Sequence, residues 1–258
     1  MNLPEQHVRP LTQLLLALAD DKLVMGHRNS DWTGLGPILE EDIAFSHLAQ
    51  DDIAHAQAIY QFLAPIANRT ADQLAFDRAP GEFRCASIVE LPDEFDFAFA
   101  IARQCFVSTF NRIRLERLSH SNVKHLAALA KRIAAEEQLH VDHTMSWMNH
   151  LARGTAESNA KLQSALHRLA PHAPMLWEQT EGQQTLCDAG VDPGCGPELF
   201  NDWRDSLQRA AREAGLNLEL NVPDPNARGG RRGTHTPHLK ELLDEMCEVW
   251  RLEPDAAW

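Results

Sequence analysis

Two stretches of the chain share one arrangement, in which an acid and a histidine three residues apart interrupt a helical stripe of apolar residues. In the stretch 126–151 this pair is Glu137 and His140, and in the stretch 38–63 it is Asp52 and His55. Residues three apart lie on one face of a helix, so each pair faces the side on which the apolar residues are buried. The pattern predicts two long helices that point an acid and an imidazole into a shared core.

Other parts of the chain also show helical periodicity. It predicts further helices over 11–27, 94–118, 158–177, 198–214 and 237–250. Between residues 65 and 92 the periodicity weakens and turn-forming residues accumulate, which predicts a connection of about 30 residues with at most a short helix. Such a crossover lets the next helix run alongside the previous one, as in ferritin-like bundles.

We therefore predict an all-α fold, a ferritin-like four-helix bundle with additional C-terminal helices. Residues 1–258 are expected to form a single domain, with the bundle core over about 11–151 and the C-terminal helices over about 158–251. No segment suggests a strand of convincing length, because Pro223 and Pro225 confine the extended-looking stretch 217–222 to a loop.

Composition excludes several classes of partner. The net charge of −13 argues against nucleic acid and against an anionic membrane surface. No run approaches the roughly 20 apolar residues of a membrane span, and the N-terminus lacks a signal-peptide pattern, which together predict a cytoplasmic protein. The cysteines are odd in number and lack a Cys-x-x-Cys, which predicts reduced thiols throughout. They are Cys85, Cys105, Cys187, Cys195 and Cys247.

The paired acid-x-x-His motifs are typical of di-iron bundles, which take a carboxylate from each of two helices and such a pair from each of the other two. The candidate ligands here are Asp21 (or its neighbour Asp20), Asp52, His55, Glu137 and His140. The helix over 94–118 offers Ser108 where a bridging carboxylate is required, and its next inward residue is predicted to be Arg112, a permanent cation. We therefore interpret these positions as vestigial and expect no metal in this chain.

Two interpretations of the inward acids stay open. Without a metal, they need a compensating cation, for which Lys22, Arg112, His55 and His140 are candidates, and the core would then be polar but metal-free. Alternatively, the chain binds two irons and is an oxidase or oxygenase in its own right. The function of a helical adaptor without oxygen chemistry also stays open, since no nucleophile motif and no Walker loop predicts another catalytic residue.

A basic, glycine-bearing loop precedes the last predicted helix. It consists of Arg228, Gly229, Gly230, Arg231, Arg232 and Gly233. Glycines let backbone amides approach a ligand and guanidinium groups match phosphate oxygens, so the loop is a candidate contact for a phosphate or a coenzyme A phosphate. The alternative is a solvated turn that meets an acidic partner.

Tryptophans recur on the apolar stripes of the predicted helices. We expect them to serve the core or a subunit interface, in a homodimer or with another chain, rather than to stack on a ligand. They are Trp147, Trp177, Trp203 and Trp250.

Several segments of the chain carry a resemblance to a known family. They are LADDKLV at 18–24, IARQ at 101–104, GGRRGTHT at 229–236, Glu245-Met246 and the terminal Trp258. With these segments the chain resembles the PaaC-type subunit of the bacterial phenylacetyl-CoA ring epoxidase. The likeness spans nearly the whole chain, and 229–236 is its most specific part.

The resemblance implies a ferritin-like, non-catalytic structural subunit without a cofactor of its own. It implies a homologous catalytic subunit of the PaaA type, which holds the di-iron centre and binds phenylacetyl-CoA, and a reductase that delivers electrons from NADPH. Ser108 and Arg112 agree with a metal-free chain. Two features differ from the family pattern in the direction expected of a metal-binding chain. They are His55, where the family often has an uncharged residue, and the spacing of Glu137 and His140. They keep the oxidase alternative open.

Overall fold

The computed structural model describes residues 4–224 and 227–253, so Pro225 and Trp258 lie outside the described residues. The described residues contain no strand, and the all-α prediction is confirmed. None of their helices is long and apolar enough to cross a membrane. The helices are α1 (Glu5–Ser30), α2 (Leu39–Ala67), α3 (Ala71–Phe76), α4 (Ser87–Glu90), α5 (Phe97–Leu118), α6 (Lys124–Arg153), α7 (Ala156–Leu169), α8 (Gln183–Asp188), α9 (Pro197–Glu213), α10 (Pro237–Met246) and α11 (Glu248–Leu252).

The four long helices α1, α2, α5 and α6 form the ferritin-like bundle. Helix α1 packs along α2, and α5 packs along α6, each pair being joined by a short loop. The crossover between the two pairs is long, as predicted, but it contains two short helices, α3 and α4, where the weak periodicity predicted at most one. Because two antiparallel pairs joined by a long crossover bring four inner faces together, side chains from α1, α2, α5 and α6 meet on one axis.

Local chemistry sets the ends of these helices. The Asp96 side chain accepts a hydrogen bond from the backbone N–H of Ala98 and begins α5. Asn68 adopts a left-handed conformation with φ 53° and ends α2.

The prediction of one continuous helix over 158–177 is wrong. Helix α7 ends at Leu169, and residues 173–177 form a 3-10 turn, because Pro171 and Pro174 cannot donate the backbone hydrogen bonds that a continued α-helix needs. The last predicted helix is likewise divided, with α10 ending at Met246 and α11 beginning at Glu248.

The interpretation of all five cysteines as reduced thiols is wrong for two of them. Cys187, in the last turn of α8, and Cys195, just before α9, are joined by a disulfide. The glycine- and proline-rich segment between them folds back on itself, which spacing along the sequence did not reveal. The remaining cysteines are free and buried, and they are Cys85, Cys105 and Cys247.

Candidate functional site

The centre of the bundle holds a buried cluster of charged side chains. The ammonium nitrogen of Lys22 lies 2.6 Å from Asp52 Oδ1 and also donates a hydrogen bond to Glu137 Oε1. No more than 2% of any of the three side chains is exposed to solvent. Three helices, α1, α2 and α6, therefore meet at a cation placed between two carboxylates.

Helix α1 contributes a different residue from the predicted one. Successive residues of a helix are about 100° apart around its axis, so Asp21 points away from Lys22 and from the cluster. The carboxylate of Asp21 accepts hydrogen bonds from Arg231, with Nη2 at 2.6 Å, and from the backbone N–H of Ala86. The prediction that Asp21 lies among the ligand-like residues is wrong.

The alternative acid of α1 is also engaged elsewhere. Asp20 accepts hydrogen bonds from Arg78, from the Tyr60 hydroxyl and from the backbone N–H of Arg84. Lys22, one of the candidate cations in the sequence, is the residue that α1 places between the inward acids.

The two histidines lie beside the cluster, as predicted. The Nδ1 atoms of His55 and His140 are 3.6 and 3.5 Å from Glu137 Oε1. Their Nε2 atoms contact carboxylates of the opposite helix: His55 contacts Glu136, and His140 contacts Asp51 at 3.1 Å. Both rings are therefore held across the α2–α6 seam, with one nitrogen facing inward.

Three buried atoms around Glu137 lack a hydrogen-bond partner among the described residues. They are Glu137 Oε2 and the Nδ1 atoms of His55 and His140. An outer nitrogen fixed by a carboxylate and an inner nitrogen left without a partner is the arrangement of a metal-ligating histidine. Glu137 and the two histidines, on α2 and α6, are thus oriented as metal ligands would be.

Helix α5 supplies neutral groups to this region. Asn29 of α1 donates hydrogen bonds to Asp52 and to Gln104, and Gln104 in turn donates to the Ser108 hydroxyl at 2.9 Å. Arg112 does not point inward as predicted; its side chain is 31% exposed and contacts Glu116. Helix α5 therefore presents an amide and a hydroxyl to the cluster, in place of the predicted guanidinium group.

Electrostatics keeps the central ion pair charged. Burial lowers the pKa of Lys22, but attraction to Asp52 and Glu137 outweighs it and raises that pKa above its ordinary value. Burial raises the pKa of Glu137, but the charge of Lys22, together with His55 and His140, outweighs it and lowers that pKa from 4.5 to about 2. Both partners are therefore ionised at neutral pH.

The donor set does not fit a di-iron centre. Ligand atoms of Asp52, Glu137 and His140 lie within 4.8 Å of one another, which is the set for one cation rather than two. The ammonium of Lys22 is already hydrogen-bonded to both acids and supplies positive charge there. Neither α1 nor α5 adds a carboxylate to the cluster, so the two acids that a di-iron bundle takes from those helices are missing.

The basic loop has a structural role that the sequence did not reveal. Arg231 is only 2% exposed, and its guanidinium donates to Asp21 and to the backbone carbonyls of Ala17 and Leu176. A Cβ at Gly230 would lie 1.7 Å from the Cys85 carbonyl oxygen, so this close approach requires glycine.

The segment after the loop is also held in place. His235 lies 2.6 Å from Glu90, and the same carboxylate accepts a hydrogen bond from the Thr236 N–H at the start of α10. The loop therefore fastens α10 to the crossover between the helix pairs. Arg228 and Arg232 are exposed, and for them the contact with coenzyme A or a partner stays a prediction.

Comparison with known proteins agrees with this architecture. The family model described as phenylacetic acid catabolic protein matches residues 1–258. This chain belongs to the phenylacetic acid catabolic protein family. Within the family, the C subunit of 1,2-phenylacetyl-CoA epoxidase from Escherichia coli (strain K12) is 32% identical over 253 residues, covering 96% of this chain and 99% of the relative. The resemblance drawn from the sequence is confirmed.

Proposed function

We propose that this family member is a non-catalytic structural subunit of a phenylacetyl-CoA epoxidase and supports a homologous di-iron catalytic subunit. Similarity to the C subunit of the E. coli enzyme over nearly the full length of both chains supports a place in such an assembly. In this role the chain carries no cofactor, and the di-iron centre belongs to the partner.

The position of Lys22 is the observation that carries this proposal. Its ammonium is hydrogen-bonded to Asp52 and Glu137, the two acids that a metal would need. An ammonium group neutralises buried carboxylates but cannot change its oxidation state or coordinate oxygen. The bundle therefore keeps its shape without the means to activate oxygen, as a supporting subunit requires.

An exposed apolar surface near the start of α2 supports a subunit interface. Leu35, Leu39 and Ile43 are all more than half exposed, and Phe95, at 62% exposure, lies beside the same loop through its contact with Trp32. A cluster of large exposed apolar side chains is typical of surfaces that bind another protein. We assign this surface to the contact with the catalytic subunit.

The test is purification of the chain alone and after co-expression with the catalytic subunit. We expect the isolated chain to contain almost no iron, the complex to contain iron, and only the complex to epoxidise phenylacetyl-CoA. Leu39→Lys with Ile43→Lys should weaken the complex, whereas Gln57→Lys, on the exposed face of α2 further along, serves as the matched control. Near-stoichiometric iron and oxygenase activity in the isolated chain would refute the proposal.

One observation favours the alternative of a metal-binding oxidase. Glu137 Oε2 and the inward Nδ1 atoms of both histidines have no hydrogen-bond partner among the described residues, as expected of atoms that bind a cation. The iron analysis of the isolated chain separates the two functions. A helical adaptor unrelated to oxygen chemistry would instead fail to form a stable complex with the catalytic subunit.

A further inference from the structure

A cavity of about 400 Å³ lies apart from the Lys22 cluster, between α1, α5, the 173–177 turn and the C-terminal loop. Its apolar wall includes Leu14, Leu18, Phe110, Trp177 and Phe200. The Trp177 ring meets Phe110 edge to face, with ring centroids 4.9 Å apart, and meets Phe200 at 6.4 Å. This aromatic corner suits a flat apolar group, since aromatic rings pack favourably edge to face.

Several guanidinium groups line the same cavity. Four arginines line it, against the acids Glu178 and Asp224, in a chain whose net charge is −13. The arginines are Arg114, Arg228, Arg231 and Arg232. Arg114 and Arg231 are already paired with the buried acids Asp192 and Asp21, so the groups that can attract an anion to the opening are the exposed guanidinium groups of Arg228 and Arg232.

Two buried donors at the cavity lack an acceptor. Arg114 is 4% exposed, and its Nη2 donates to Asp192 at 2.5 Å, but its Nη1 has no partner among the described residues. The indole Nε1 of Trp177 likewise has none. Nη1 lies next to Gly194, another lining residue, which places it at the cavity wall. Burying donors without acceptors is unfavourable, so an acceptor group on a ligand would remove this cost.

The outer part of the cavity carries two more guanidinium groups. Arg228 is exposed and forms no hydrogen bond or ion pair with the described residues, while Arg232 donates only through Nε, to the Gln179 carbonyl at 3.1 Å. Arg231 is different, because Asp21 and backbone carbonyls occupy its donors. The donors available to a ligand are therefore Nη1 of Arg114 and the guanidinium groups of Arg228 and Arg232.

We propose that this cavity binds a small aromatic carboxylate. The ring of the ligand packs into the corner formed by Phe110, Trp177 and Phe200, and its carboxylate accepts hydrogen bonds from Arg114 and the Trp177 N–H. Arg228 and Arg232 attract the anion to the opening. Inorganic phosphate is a poor fit, since it has no apolar part to cover the aromatic wall. None of the Lys22 cluster lines this cavity, so the failure of ligand binding would leave the proposed structural role untouched.

Titration calorimetry of the full chain tests the site, with phenylacetate as the probe. We expect saturable binding of one phenylacetate per chain, about tenfold weaker binding of the neutral phenylacetamide, and no competition from inorganic phosphate. Absence of saturable phenylacetate binding at millimolar concentration would overturn the proposal. Equal affinity for phenylacetamide and phenylacetate would contradict the proposed role of the guanidinium groups. Displacement of phenylacetate by phosphate would show that the cavity binds inorganic anions instead.

Variants locate the bound molecule. Trp177→Phe keeps a ring but removes the N–H, and we expect affinity to fall about fivefold, a loss of the size expected for one hydrogen bond. Arg228→Gln with Arg232→Gln should weaken binding by about the same factor, an effect that added salt reduces. Arg132→Gln, an exposed arginine of α6 outside the cavity, is the matched control. Affinity unchanged in both test variants would place the ligand elsewhere and refute the assignment.

Discussion

Replacing Lys22 with methionine tests whether its ammonium is the cation that stabilises the centre of the bundle. Methionine fills nearly the same space and keeps the apolar stem, so the substitution mainly removes the charge. Asp52 and Glu137, which both accept hydrogen bonds from this nitrogen, would then face each other without a counter-ion. We expect the variant to be strongly destabilised.

Two lines of reasoning give a similar magnitude. Removing one partner of a buried ion pair typically costs about 3–5 kcal/mol. The net displacement of the Glu137 pKa from 4.5 to about 2, to which burial, Lys22, His55 and His140 all contribute and Lys22 makes the largest favourable contribution, corresponds to roughly 3 kcal/mol of stabilisation of the ionised carboxylate, at about 1.4 kcal/mol per pKa unit. A loss of about 3–5 kcal/mol is a large part of the roughly 5–15 kcal/mol by which a folded domain is stable.

The assay is urea unfolding of Lys22→Met and the unchanged chain at pH 7 and pH 5. In the unchanged chain the Glu137 carboxylate is stabilised by Lys22, and this contribution is complete above pH 4.5 and lost as the pH falls toward 2. In the variant the uncompensated acids take up protons more readily, so its deficit should shrink as the pH falls from 7 to 5. Lys131→Met, an exposed lysine of α6, is the control. A deficit below about 1 kcal/mol at pH 7, or one independent of pH, would refute the reasoning.

Three further predictions concern the fastening of the C-terminal half, each measured by urea unfolding. Arg231→Gln leaves a buried carboxylate of α1 without its cation and should cost about 3–5 kcal/mol. Cys187→Ser with Cys195→Ser opens a short disulfide loop and should lower the free energy of unfolding by about 2–3 kcal/mol. Reducing the disulfide of the unchanged chain should lower it by the same amount. Gly230→Ala places a methyl group against a backbone carbonyl and should destabilise by more than about 3 kcal/mol, because backbone cannot move aside as a flexible side chain can.

Matched substitutions control these three measurements. Arg232→Gln, at an exposed arginine of the same loop, should change stability by less than about 0.5 kcal/mol. Gly81→Ala should also be mild, because the nearest atom to its Cβ is 3.9 Å away. Equal losses of stability in Arg231→Gln and Arg232→Gln would contradict the buried role of Arg231. If the reductant also destabilises the double serine variant, it acts on something other than the disulfide.

Periodicity in the sequence predicted the long helices and the crossover. The acid-x-x-His spacing also predicted that Asp52, His55, Glu137 and His140 share one buried region, as the structure confirms. These features follow from residues close together in sequence, since the spacing of apolar residues alone indicates which face of a helix is buried.

Only the tertiary structure decided which partner each buried charge has. In the run Asp20-Asp21-Lys22 all three side chains are buried, yet each points to a different neighbour, and a shift of one residue turns a side chain by about 100°. Asp21 and its partner Arg231 are 210 residues apart, so no local pattern connects them.

The pairing of Cys187 with Cys195 and the approach of Gly230 to Cys85 likewise depend on how distant or irregular segments come together. The local sequence determined the helices and the faces that they bury. The packing of α1 against α2 and α6 determined that the charge between the acids is the ammonium of Lys22, because only three-dimensional proximity decides which ion compensates a buried carboxylate.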